Sequence, residues 1–120
     1  GCCEYCRSQE MYATESFSVD HIMPRVLGGE TKVDNLAYAC LGCNSYKSSR
    51  TEAIDPATTD SVSLFNPRRQ EWETHFAWSA DLTEILGKTA TGRATSKNQC
   101  DECLSRWRVA SMQVIRCQVR

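Results

Sequence analysis

Phe17-Ser18-Val19-Asp20-His21-Ile22-Met23-Pro24, continuing through Gly28-Gly29 and Asp34-Asn35-Leu36 to Cys40-Leu41-Gly42-Cys43-Asn44, is the stretch that decides the fold. Residues 17–22 alternate apolar and polar side chains and are rich in β-branched types, which predicts a short strand. Pro24 ends it, because proline cannot donate to a strand ladder. Residues 26–30 form a loop with two glycines. Residues 35–40 predict a second short strand, and residues 44–50 a short helix with Asn44 near its N-terminus. Successive side chains on a strand face opposite ways. Asp20 and His21 can therefore share a site only where the strand bends or stops, and Pro24 with the glycine loop offers such a place.

Two cysteine knuckles flank this stretch: Cys3-Glu4-Tyr5-Cys6 and Cys40-Leu41-Gly42-Cys43. Four thiols in two x-x spaced pairs can supply a tetrahedral zinc site that staples the N-terminal half. Thiolates are soft ligands and select zinc over magnesium. The alternatives are two disulfides or a set of buried free thiols. Eight cysteines in 120 residues would suit a secreted, disulfide-stapled protein. The doubled knuckle around a His/Asp/Asn set fits metal in a reducing compartment better, and a cytoplasmic location is expected.

The length predicts one modest domain. No apolar run is long enough to span a bilayer. The opening Gly1-Cys2-Cys3 lacks the charged and apolar regions of a signal peptide. Formal net charge is −1, divided as −2 over residues 1–54, −3 over 55–90 and +4 over 91–120. Attraction to nucleic acid must then come from local patches and bound cations. Arg25, Lys47 and Arg50 are the candidate phosphate contacts, since such side chains bridge to phosphate oxygens.

Downstream, residues 51–60 read as a connector and 63–67 as a turn. Residues 68–76 suit a short amphipathic helix that starts with the basic pair Arg68 and Arg69. Residues 76–89 suit a hairpin, with His75 packing locally before it. Leu104, Trp107, Val109, Met112, Val114 and Ile115 permit a C-terminal helix. Cys100, Cys103 and Cys117, with Cys2, are either free cysteines or a second zinc set.

Asp20-His21, Asn35 and Asn44 resemble the HNH endonuclease motif in its zinc-stapled form, with Asn in the third position. Ile22-Met23-Pro24-Arg25, the Gly-Gly loop, Asp34-Asn35-Leu36 and Lys47 after the second knuckle belong to the same match. The resemblance is dense over residues 3–51. It continues weakly through Leu64-Phe65-Asn66-Pro67-Arg68 and Trp72 to about Thr95, as in stand-alone bacterial HNH proteins. It implies an α+β fold: a small ββα-metal core stapled by a four-cysteine zinc site, with a C-terminal extension of short helices and strands. The expected nuclease domain is 1–95 with its core at 3–51. Residues 96–120 form a tail, helical and without an assigned role.

The implied function is hydrolysis of DNA phosphodiester bonds. His21 matches the general base, and Asp20 and Asn44 match the ligands of one catalytic Mg²⁺ or Mn²⁺. Asn35 matches the residue that braces the loop. The chemistry of the side chains agrees. Imidazole exchanges protons near neutral pH, and a carboxylate with an amide carbonyl is a hard oxygen set suited to Mg²⁺. The main alternative is a noncatalytic zinc module that binds nucleic acid or protein. It would keep the four cysteines but gives no reason for Asp20, His21 and Asn44 to occur together.

Overall fold

The computed structural model describes residues 1–81 and 84–97. The expected C-terminal helix and Cys100, Cys103 and Cys117 lie outside the described residues. The fold is a small α+β arrangement of short elements. Strand β1, Ser18–His21, pairs antiparallel with β2, Leu36–Ala39, so that Asp20 lies opposite Ala37 and His21 opposite Leu36. Both strands fall within their expected segments. Ala37 and Ala39 alternate inward, and their small side chains leave room for the buried cysteines beside them.

Helix α1, Leu41–Lys47, starts three residues before its expected position. The physical reason is the second knuckle. Cys40 is the N-cap, and its Sγ accepts the Cys43 amide at 3.4 Å, so the knuckle forms the first helical turn. Asn44 therefore sits inside the helix, its amide donating to the Cys40 carbonyl, and it is not the cap. The helix stops at Ser48, whose φ of 49° no continuing helix allows. Arg50 consequently lies beyond α1.

The expected connector is a hairpin instead. Strands β3, Glu52–Ile54, and β4, Ser61–Ser63, pair antiparallel. Asp55 holds the turn between them. Its carboxylate accepts from the Ala57 amide and the Thr58 hydroxyl, and its own amide donates to the Asp60 carbonyl. Arg93 closes on the same carboxylate with two bonds of 2.9 and 2.8 Å.

The expected helix at 68–76 is reduced to α2, Trp72–His75, because residues 66–70 are taken up by a turn that Asn66 and Gln70 organise. Strands β5, Phe76–Trp78, and β6, Ile85–Gly87, form the expected hairpin. Helix α3, Ala90–Lys97, follows; Thr89 Oγ1 accepts the Gly92 amide at its start.

One core unites these elements. Phe65, Trp72 and Phe76 stack edge to face or tilted, with ring centroids 5.1 to 5.2 Å apart. They join the buried cysteines, Tyr5 and Phe17. Trp72 Nε1 donates to the Tyr5 carbonyl at 2.9 Å, and Arg7 lies over the Trp72 ring. Arg68 bonds both Glu4 and the Leu36 carbonyl. The C-terminal half thereby clasps the first knuckle. Among the described residues, no helix is long and apolar enough to cross a membrane.

Candidate active site and cysteine centre

Cys3, Cys6, Cys40 and Cys43 are all buried, and their sulfurs lie within 4.8 Å of one another. A tetrahedral zinc site with Zn–S near 2.3 Å has S···S edges of about 3.8 Å. The Cys6 to Cys40 separation is 3.8 Å. In each knuckle the amide of the second cysteine points at the sulfur of the first, Cys6 to Cys3 and Cys43 to Cys40. Such donors suit sulfurs that carry negative charge. Burial pushes the Cys3 thiol well above the ordinary thiol range, so the pocket disfavours bare thiolate and favours a thiolate that has a cation beside it. The set can hold a metal ion such as zinc. Cys2 is disulfide-bonded, so it is neither the free cysteine nor the member of a second zinc set expected from the sequence.

A second site lies where β1 ends. Asp20, His21 and Asn44 line one open cavity of about 310 Å³, together with Arg25, Ser48 and Ser49. β1 stops at His21, which allows two neighbouring residues to border the same space. Asp20 is 5 % exposed. Its Oδ2 accepts the Tyr5 hydroxyl at 2.7 Å and pairs with Lys47 Nζ at 3.2 Å. Among the described residues its partners all reach Oδ2. Asn44 projects from α1, and its Nδ2 donates to Ser18 Oγ at 2.7 Å, leaving the amide carbonyl for other use. His21 Nε2 shares a hydrogen bond with Thr31 Oγ1 at 2.9 Å.

Asn35 organises the loop between the strands. Its Oδ1 accepts the Met23 amide at 2.8 Å, and its Nδ2 donates to the carbonyls of Met23 and Glu30 at 3.1 and 2.8 Å. One side chain thus ties both ends of residues 23–30. Inside that loop Arg25–Leu27 forms a single 3-10 turn closed by Gly28 at φ 92°, a left-handed conformation that favours glycine. A Cβ on Gly29 would stand 1.8 Å from the Met23 carbonyl oxygen, so this position also requires glycine.

Residues 3–59 match the family model for HNH endonuclease. The match spans 57 of the 120 residues and makes that segment similar to HNH endonucleases. No curated protein and no solved structure matches the chain. The HNH segment contains both knuckles, β1, β2 and α1, and every residue singled out for the cavity. The structure brings Asp20, His21 and Asn44 together and leaves Asn35 in the loop behind them.

The three expected phosphate contacts separate. Arg25 and Arg50 are exposed, with Arg25 on the cavity wall. Lys47 turns inward: its side chain is 8 % exposed, and its ammonium lies between Asp20 and the His21 carbonyl, 3.1 Å from the latter. An ammonium in that position is not offered to a phosphate outside. Arg68, of the basic pair at 68–69, is engaged with Glu4 and the Leu36 carbonyl. His75 packs as expected, with Nδ1 against Thr89 Oγ1 and its ring edge-on to Phe65. Burial lowers its pKa below the ordinary histidine range. Tyr5 and Thr31 reach the site without any residue pattern to announce them. Tyr5 sits in the variable middle of a knuckle, and Thr31 in a loop.

Proposed function

We propose that the HNH segment is a nuclease that hydrolyses DNA phosphodiester bonds at the cavity between β1 and α1. The β1–β2–α1 unit is read as a ββα-metal core, residues 1–95 as its domain, and the four cysteines as a structural zinc staple. The observation that carries this reading is the joint placement of Asp20, His21 and Asn44 on one open cavity within the family match.

Asp20 through Oδ1 and Asn44 through its carbonyl are the hard oxygen donors that would hold a divalent ion, and the set fits Mg²⁺ or Mn²⁺. Such an ion, when bound, stabilises charge on the phosphate and on the departing oxygen. The chain's own residues supply the rest. His21 accepts a proton from the attacking water; with Nε2 engaged by Thr31, Nδ1 is the nitrogen left to receive it. Asn35 holds the loop that carries Arg25 and leads to Thr31. Arg25 and Arg50 contact the phosphodiester backbone, while Lys47 neutralises Asp20 from behind. Nothing in the short unit reads a major-groove sequence, so cleavage of low specificity is expected.

Cleavage of supercoiled plasmid by zinc-loaded protein, with Mg²⁺, Mn²⁺ or EDTA, tests the reading beside His21→Ala. Cleavage should need the added ion and be lost in His21→Ala at unchanged zinc content. Folded, zinc-loaded wild type that cuts with no divalent ion present, or never cuts, refutes it.

A further inference from the structure

Tyr5 occupies the middle of the first knuckle, between Cys3 and Cys6, and is 4 % exposed. Its phenol reaches out of the knuckle to β1 and donates to Asp20 Oδ2 at 2.7 Å. Its main chain is fixed as well, since the Tyr5 carbonyl accepts Trp72 Nε1. Lys47 meets the same Oδ2 from α1. Two donors on one carboxylate oxygen stop the group from rotating and leave Oδ1 as the oxygen that can serve a ligand. Asn44, the other proposed ligand, directly follows Cys43 of the second knuckle and is held by Ser18. Each knuckle thus positions one of the two oxygen donors. The first does it through a single side-chain hydrogen bond, the second through chain continuity.

We infer that Tyr5 is a positioning residue that couples the cysteine staple to the divalent-ion site by fixing the orientation of Asp20. This rests on reading Asp20 and Asn44 as the ion's ligands. The geometry gives the coupling a direction. Disturbing Cys3 or Cys6 moves Tyr5, and moving Tyr5 frees Asp20. Outer partners of this kind commonly change metal affinity about 10- to 100-fold on mutation.

The test is Mn²⁺ binding to zinc-loaded protein, read by the loss of the free-ion paramagnetic resonance signal, with cleavage measured in parallel. Tyr5→Phe keeps the ring in its core position and removes only the hydroxyl. It should keep its zinc and raise the Mn²⁺ dissociation constant by about tenfold or more. Cleavage should recover largely when Mn²⁺ is raised. A merely structural tyrosine would lower the melting temperature and leave the Mn²⁺ constant unmoved, and that result overturns the inference. Asp20→Asn separates the two levels. If it abolishes Mn²⁺ binding while Tyr5→Phe binds as wild type does, only the positioning role is wrong. If wild type and Asp20→Asn bind Mn²⁺ alike, or neither binds it, the ligand assignment fails and the inference with it. Should Tyr5→Phe fold poorly, a ring-fluorinated tyrosine at position 5 keeps the donor. It must retain native affinity, and weaker binding overturns the inference.

Discussion

Asn35→Ala should loosen one loop and disable the site while leaving the rest of the fold in place. The side chain makes three hydrogen bonds, to the Met23 amide, the Met23 carbonyl and the Glu30 carbonyl. Each is worth about 0.5–1.5 kcal/mol net, and partial exposure places them in the lower part of that range. The summed loss is then about 2 kcal/mol for opening residues 23–30, or about 30-fold in the opening equilibrium. Native-state hydrogen exchange reads this directly. The Met23 amide loses its acceptor and should exchange about 30-fold faster. The amides of Leu27, Gly28 and Gly29, which bond within the loop to Pro24 and Arg25, should speed up with it. The Asn44 amide inside α1 should not change. Cleavage should fall by roughly 100-fold, because the loop carries Arg25 and leads to Thr31, the partner of His21. Asn35→Asp should be no better despite its matching shape. It keeps the acceptor for Met23 but sets negative charge against two carbonyl oxygens. An unchanged Met23 exchange rate with full cleavage in Asn35→Ala would refute the brace.

Four further outcomes are expected. Lys47→Met removes the counter-ion of a buried carboxylate and should destabilise the fold by about 3 kcal/mol, with millimolar Mg²⁺ restoring part of the melting temperature; loss confined to DNA affinity would contradict the inward placement. If the four cysteines hold zinc as proposed, chelation should lower the helical circular-dichroism signal and abolish cooperative melting together, whereas an unaltered melt would show the staple to be dispensable. Arg25→Ala should weaken DNA binding and lower the slope of log K against log salt by about one, and an unchanged slope argues against a phosphate contact. Acid melting should depend on Asp55: the Arg93 hydrogen bonds hold its carboxyl below the ordinary carboxylate range, so the unfolded chain takes up this proton first as pH falls, and the stabilisation is complete above about pH 4–5 and lost progressively below it. Arg93→Leu should flatten that acid limb, as thermal melts between about pH 3 and 6 would show.

What the sequence revealed and what it hid follow from the range of the interactions. β1, β2 and the knuckles were legible because local signals fix them: alternation, a proline stop, the two glycines that positions 28 and 29 require, and paired cysteines. The expected helix starts one knuckle too late because Cys40 of the second knuckle also caps α1, and capping by sulfur has no residue signature. The β3–β4 hairpin resembles a connector in sequence for a different reason. Its strands are three residues each, with little apolar alternation, and its turn is clamped by Arg93, thirty-eight residues away from Asp55. Helix α3 was hidden likewise, with a glycine in its first turn and few large apolar residues to mark a face.

The candidate site divides along the same line. Asp20, His21, Asn35 and Asn44 stand out in the sequence as a set through their resemblance to the HNH motif. The charges around them were not. Lys47 looked like a surface cation at a helix end, and only the fold shows its ammonium enclosed between Asp20 and the His21 carbonyl. That enclosure bears on mechanism. A buried carboxylate with no cation beside it is expensive to keep ionised, so an oxygen ligand inside a small core needs a resident positive partner before any divalent ion arrives. Lys47 supplies that charge from α1, and Tyr5 adds a neutral donor from the knuckle. On the proposed reading, the Asp20 carboxylate is thus oriented by both partners before an ion binds. A lysine in this position should lower affinity for a divalent ion by like-charge repulsion and raise the stability of the ion-free fold. Lys47→Gln should then bind Mn²⁺ at least as tightly as wild type while melting earlier, and weaker Mn²⁺ binding at unchanged melting temperature would reverse the assignment of the two roles.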